Sequence, residues 1–258
     1  MKSVPTYAVL EYCGRDFAGW QLQPSVRTVQ GELEAVLKRL VGQRVVTRAS
    51  GRTDAGVHAL GQLVSFVAPE RWTTDELLRA LRALLPSDMR VVRVGTAPDG
   101  FDARRHATSR RYRYVVGCDH AAYSPFRRPY EWALGRPLNG QLLIETSALI
   151  AGEHDFRGFC AVGQEKPHYL CTVTTAEWQE RGDAEGFIFE IEANRFLHHM
   201  VRFLVGTMVD VALGRRPEHD VSRLLAEKNN KNVSPPAPPE GLYLLGARYP
   251  QIDEVIDS

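Results

Sequence analysis

The sequence predicts an α+β fold in which the order strand, helix, strand, strand, helix, strand is used twice along 258 residues. Three observations carry that expectation. Short runs rich in β-branched and aromatic residues alternate apolar with polar positions, as half-buried strands do. Between them, apolar residues recur every three to four positions, often behind a threonine, as in capped amphipathic helices. Both kinds of segment then follow one another in the same order in each half of the chain.

Taken in order, TYAVLEY (6–12) alternates and is the first strand. TVQGELEAVLKRLVG (28–42) places Val29, Leu33, Val36, Leu37 and Leu40 on one helical face, with Thr28 as its N-cap. RVVTRAS (44–50) is expected as a strand, GRTDAGVHAL as a loop and GQLVSFV (61–67) as a strand. TTDELLRALRALLP (73–86) is a capped helix ended by Pro86, and MRVVRVGTA (89–97) closes the first half as a strand. In the second half RRYRYVV (110–116) is a strand and PLNGQLLIETSALIAG (137–152) contains a helix. LCTVTTAEWQE (170–180) and GFIFEIEAN (186–194) pair around the turn RGDAEG. FLHHMVRFLVGTMVDVALG (196–214) is a long helix ended by Gly214, PEHDVSRLLAEK (217–228) is a shorter one, and LYLLGARY (242–249) is the last strand. PYEWAL (129–134) decorates the plan.

Each half is thus a split β-α-β, or ferredoxin-like, subdomain. The boundary falls near 105–110, giving an N-terminal subdomain over 1–108 and a C-terminal one over 109–258. The duplication is one of topology, because no residue-level repeat relates the halves. RNA-recognition modules use such sheets as platforms, although unrelated activities sit on the same fold.

Lysine and arginine total 32 against 31 acidic residues, so net charge points to no partner. Four cysteines (13, 118, 160 and 171) stand far apart with no CxxC pair, which disfavours a zinc ribbon or a disulfide framework. The N-terminal stretch lacks the apolar core of a signal peptide, and no apolar run approaches the ~18 residues of a membrane span. The expectation is a soluble, cytoplasmic protein with no membrane partner.

Chemistry concentrates in a few stretches. In SGRTDAGVHALGQLVSF (50–66), Arg52 and Asp54 are two apart, so in extended chain both project one way and Thr53 the other. Asp54 is then a turn-former, a salt-bridge partner or a nucleophile, and turn aspartates are common. In FDARRHATSRRYRY (101–114) five arginines fall within ten residues: Arg104, Arg105, Arg110, Arg111 and Arg113. Alternation sets Arg111 and Arg113 on one face and Tyr112 and Tyr114 on the other. That is either a solvated charge cluster or the mix of phosphate contact and base stacking that nucleic acid requires. The 196–214 helix is apolar nearly all round, which argues burial, with Arg202 in its middle and His198 on the same face. Leaving one member of a buried ion pair alone costs roughly 3–5 kcal/mol, so an acid should meet Arg202. Asp210 lies about 12 Å further along the axis, and Asp54 is the candidate. The vicinal His198 and His199 diverge on a helix and gather no metal-ligand set. NVSPPAPPEGLYLLG is either a polyproline motif or, more plainly, a stiff loop delivering Gly241-Leu242-Tyr243 into the sheet.

FAGWQLQ (17–23), TVQGELE (28–34), SGRTDAGVHA (50–59), FDARRHATSRRYRY (101–114), FLHHMVRFLVGT (196–207) and APPEGLYL (237–244) occur in this order. Together they closely resemble the tRNA pseudouridine synthase A family over almost the whole chain. GRTDAGVHA is highly specific and displaces the turn-aspartate alternative. The resemblance implies isomerisation of uridine to pseudouridine in the anticodon stem-loop of tRNAs, at tRNA positions 38, 39 and 40, without cofactor or metal. It implies a homodimer whose two ferredoxin-like subdomains form a continuous, mainly antiparallel sheet flanked by helices, with a basic active-site cleft between them. By motif match Asp54 is the nucleophile, Tyr112 the active-site tyrosine and Arg202 the basic residue paired with the aspartate. Leu242 packs against the uracil and Arg52 lies by the flipped base. Arg104, Arg105, Arg110, Arg111 and His198 are expected to contact the RNA. One stretch departs from the family pattern: Tyr169-Leu170-Cys171-Thr172 stands where related sequences often carry an arginine-threonine pair.

Three other readings compete. A non-catalytic RNA-binding module explains the arginine–tyrosine strand but gives Asp54 and Arg202 no task. A zinc deaminase needs an H-x-E with a downstream P-C-x-x-C, which the chain lacks. A hydrolytic glycosidase needs two facing carboxylates, and only Asp54 stands out.

Overall fold

The computed structural model describes residues 3–161, 163 and 168–252. The chain divides into two compact units. One comprises the residues up to Arg110 together with the chain from Tyr243 onward, and the other runs from Arg111 to Leu242.

The first unit begins with β1 (Ser3–Tyr12), α1 (Val29–Val41), β2 (Arg48–Ala49), β3 (His58–Pro69), α2 (Thr74–Leu84) and β4 (Met89–Thr96). β1 is central, with β3 antiparallel on one side and β4 antiparallel on the other. Tyr7, Val9 and Leu63 meet Ala97, Ala103, Ala247, Tyr249 and Ile252 in one cluster. Alternation leaves Ala8 and Leu10, both wholly buried, on the opposite face. The helices start where the sequence places them. Thr28 accepts from Gly31 N at the head of α1, and Thr73 and Glu76 cap α2 reciprocally. α1 stops at a left-handed Gly42, a conformation that costs glycine nothing.

The strand expected over 44–50 shrinks to Arg48–Ala49. Helix side chains take its place as partners: Glu34 Oε1 accepts from Thr47 N at 2.9 Å and from Thr47 Oγ1 at 3.0 Å. Gln30 Nε2 donates to Thr47 O at 3.4 Å, so the backbone at Thr47 is satisfied without a strand neighbour. β3, in turn, is longer than expected and starts at His58. Two strands use it. β2 pairs with its later part (Ala49↔Val64), and β10 (Leu242–Arg248) runs parallel to its start, Tyr243 opposite His58 and Leu244 opposite Ala59. The last strand therefore groups with the first unit, although its place in the chain assigned it to the second half.

The second unit carries β5 (Ser109–Gly117, from Arg111 on), β6 (Trp132–Ala133), α3 (Gly140–Ala148), β7 (Gly152–Asp155), β8 (Leu170–Glu180), β9 (Gly186–Ala193), α4 (Met200–Ala212) and α5 (Asp220–Glu227). Its strands lie in the order β5-β9-β8-β7, with β6 parallel to β5. β8 and β9 form the expected antiparallel pair, and β7 adds an edge strand that periodicity did not reveal in its four residues. Trp178 stacks on Phe189 and donates its indole N–H to Met208 Sδ at 3.5 Å, tying sheet to helix.

α4 is buried on nearly every face, as its apolar sequence requires. It begins four residues later than expected, however. His199 takes the left-handed conformation (φ 60°), and the carbonyl of His198 accepts from Ala161 N at 3.0 Å. Residues 196–199 thus stay outside the helix. Arg202 sits in its first turn and only half-buried, and His198 shares no helical face with it. The proline-rich segment packs on this helix. A Cβ on Gly206 would fall 2.3 Å from Pro235 O, so only glycine admits the chain there.

Candidate active-site elements in each unit

In the first unit the loop from Ser50 to Val57 joins β2 to β3, and residues 12–20 form its floor. Thr53 is turned inward. Its hydroxyl lies 2.8 Å from Tyr12 Oη and its carbonyl accepts from Trp20 N at 3.0 Å. Gly19 lets that approach occur, since a Cβ there would stand 2.8 Å from Thr53 O. Further along, Gly56 N donates to Phe17 O at 3.4 Å and Val57 N to Asp54 O at 3.2 Å. Gly56 itself has φ +80°, the left-handed value that closes the turn. Thr53 is buried and its two neighbours are not: Arg52 is exposed and Asp54 half-buried. His58, two residues from the turn, is buried, accepts from Gly14 N at 3.1 Å on Nδ1 and stacks on Tyr243 with ring centres 4.7 Å apart.

The arginine-rich stretch divides into two roles. Arg104 and Arg105 are exposed, in a turn where Asp102 Oδ1 accepts both of their backbone N–H groups at 2.9 and 3.2 Å. Arg110 instead spends its guanidinium on backbone. It donates to Ser50 O at 3.0 and 3.1 Å, to Arg104 O at 2.7 Å and to Ala107 O at 3.0 Å. Expected as an RNA contact, it fastens the start of the Asp54 loop to the turn carrying Arg104.

In the second unit β5 alternates as expected. Tyr112 and Tyr114 are buried, while Arg111 and Arg113 lie on the other face and both bind Glu190 of β9, Arg113 at 2.7 Å. Burial pushes the Glu190 carboxyl up, but the bonds from Arg113 and Arg111 outweigh it and hold the group below its ordinary value. Tyr112 packs edge-on against Phe196, ring centres 5.0 Å apart. Tyr114 is wholly buried and donates to Pro238 O at 2.7 Å. Burial raises its phenol well above the usual value, with Glu240 adding to the shift and Arg202 opposing it. Arg202 Nε donates to Ala237 O at 2.7 Å, and Ala237 N returns a bond to Arg202 O at 2.9 Å. The proline-rich segment is thereby held to α4 and β5, and it presents Leu242, 5 % exposed, at the head of β10. This is the stiff-loop role expected of it. His198 is exposed, its ring centre 4.0 Å from that of His199.

Sequence reasoning passed over Tyr12, Gln62 and Glu190. Gln62 left a signal, a carboxamide inside an alternating apolar strand. Glu190 left none, because its partners lie more than seventy residues earlier in the chain.

Among the described residues no helix is long and apolar enough to cross a membrane. Residues 8–104 and 147–250 match the family described as tRNA pseudouridine synthase. The tRNA pseudouridine synthase A of Dictyoglomus turgidum is 40% identical over 242 residues, which cover 93% of this chain and 97% of that protein. Its namesake in Myxococcus xanthus is 39% identical over 236 residues, covering 91% and 88%. That of Moorella thermoacetica is 39% identical over 244 residues, covering 93% and 97%.

Proposed function

The chain belongs to the tRNA pseudouridine synthase family, and on that premise we propose that Asp54 is the nucleophile of a uridine isomerisation in the anticodon stem-loop of tRNA. The protein is an isomerase acting on tRNA. Its preferred uridines are those at tRNA positions 38, 39 and 40, and it works as a cytoplasmic homodimer.

The observation that carries the reading is the inward lock on Thr53, flanked in one short loop by an exposed Arg52 and a half-buried Asp54. A stacked base must leave the helix before its glycosidic bond can be reached, at a cost of a few kcal/mol. Arg52, exposed and planar at its guanidinium, fills or stacks on the vacated place. Arg104 and Arg105 hold phosphates while the base is out. Asp54 then acts as the carboxylate nucleophile. The bond from C1′ to N1 breaks, the uracil turns, C1′ joins C5, and the proton on C5 departs last. An ester of Asp54 at C1′, its addition at C6 and a glycal route with Asp54 as proton acceptor each satisfy this sequence. Tyr112 serves as the active-site tyrosine, Arg202 as the basic residue and Leu242 as the apolar residue that packs on uracil and keeps water from the loosened base. His198 and Arg111 belong to the surface offered to RNA.

Tritium release from tRNA labelled at uracil C5 tests this reading, since C5 loses its hydrogen only when the new carbon–carbon bond forms. The enzyme is expected to release tritium from anticodon stem-loop tRNA and to stop when the uridines at 38 to 40 are replaced by cytidine. Undiminished release from the replaced tRNA would move the target elsewhere.

A further inference from the structure

Gln62 is wholly buried in β3 between apolar neighbours, and every polar atom of its carboxamide is used. Oε1 accepts from Ser50 Oγ at 2.5 Å, and Nε2 donates to Gly51 O at 2.8 Å and to Tyr12 Oη at 3.4 Å. Tyr12 Oη lies in turn 2.8 Å from Thr53 Oγ1. One chain of hydrogen bonds therefore runs from Ser50 and Gly51 through Gln62 and Tyr12 to Thr53. It holds the carbonyl of Gly51 and the hydroxyls of Ser50 and Thr53, so both neighbours of Arg52 are tied, and it ends one residue before Asp54. Arg110 holds the carbonyl of Ser50 from the other direction.

We propose that Gln62 and Tyr12 are positioning residues for the isomerisation, fixing Gly51 and Thr53 on either side of Arg52 so that Asp54 stands in attacking geometry. The proposal rests on Asp54 being the nucleophile. A carboxamide is the side chain the site demands. It must accept from a hydroxyl on one atom and donate to a carbonyl on the other, both out of water, which neither a carboxylate nor a thioether of like size achieves. Partners so enclosed leave the loop one arrangement instead of several. Misplacing a reacting group by about 1 Å is enough to cost roughly a hundredfold in rate, so a loop freed at Thr53 loses turnover before it loses affinity.

Two substitutions remove the chain of bonds with little change of shape. Tyr12→Phe keeps the ring that packs edge-on against Phe17 and beside Trp20. Thr53→Val keeps the branched side chain and loses only the hydroxyl, while Thr53→Ser restores it. Single-turnover tritium release at saturating enzyme, tRNA affinity by filter binding and thermal melting are measured for these, for Gln62→Met and for Asp54→Asn. Tyr12→Phe and Thr53→Val are expected to slow release by about ten- to a hundredfold with tRNA affinity within about threefold of wild type, and Thr53→Ser to stay near the wild-type rate. Gln62→Met is expected to be slower than either. Wild-type rates in Tyr12→Phe and Thr53→Val, with Asp54→Asn inactive, would overturn the proposal and leave the nucleophile standing. So would a loss confined to tRNA affinity, or an equal loss in Thr53→Ser. Full turnover in Asp54→Asn would bring down the nucleophile assignment and this proposal together.

Discussion

Glu190 receives Arg111 and Arg113 on a carboxyl that burial raises and the two guanidiniums lower, with the net below its ordinary value. A lowered folded-state pKa means stability that is fully present above the unfolded value, about 4.3, and lost as pH falls through the folded one. Glu190→Gln is therefore expected to cost about 1–2 kcal/mol at neutral pH, the arginines being partly solvated, and to flatten the acid side of the melting-temperature profile. Melts from about pH 3 to about pH 7 check this, and an unchanged acid slope would show that the pairs add nothing. At this scale the sequence told which side chains share a face and little of what they meet. The alternation of Arg111 with Tyr112 was legible because a strand repeats every two residues. The acid between the arginines was not, because strand pairing and not sequence distance brings β9 to β5. The same holds for Thr53, whose Tyr12 partner came from forty-one residues away.

α4 and the proline-rich segment behave as one element. In an ordinary exposed helix Gly→Ala gains about 1 kcal/mol. Gly206→Ala should do the opposite, because the new methyl meets the Pro235 carbonyl at 2.3 Å and neither backbone can step aside alone. The expected outcome is a lower melting temperature together with slower turnover, as the reciprocal bonds between Arg202 and Ala237 are pulled out of register. A higher melting temperature would mean that the segment is not seated on the helix. Element ends were legible where a local signal marks them, as with the threonine caps of α1 and α2. They were misplaced where something distant decides. The apolar run of 196–214 carries no break in its pattern, yet a left-handed His199 delays the helix. The run 44–47 has the composition of a strand, yet Glu34 and Gln30 of α1 take up the backbone of Thr47.

Over the whole molecule the charges nearly cancel, at a formal +1, so attraction of tRNA has to come from local arginines. Three of the five in the arginine-rich stretch also bind within the fold, Arg110 on backbone carbonyls and Arg111 and Arg113 on Glu190, and of these Arg111 keeps an exposed edge for RNA. Arg104 and Arg105 stay exposed. Replacing both by alanine is expected to weaken tRNA binding and to lower the slope of log affinity against log salt by about 1.5, since each phosphate left without its arginine removes about 0.7–0.9. An unchanged slope would take both residues off the RNA. The order of elements and the Arg52–Asp54 pair were legible because both are local patterns. The scaffold beneath the pair was not, since Tyr12, Gln62 and Arg110 reach it from three separate strands. The role of Asp54 is tested most directly by C5 tritium release by Asp54→Asn beside wild type on the same labelled tRNA. Asp54→Asn is expected to lose more than about a thousandfold in release with tRNA binding nearly intact. Release at the wild-type rate would contradict that role.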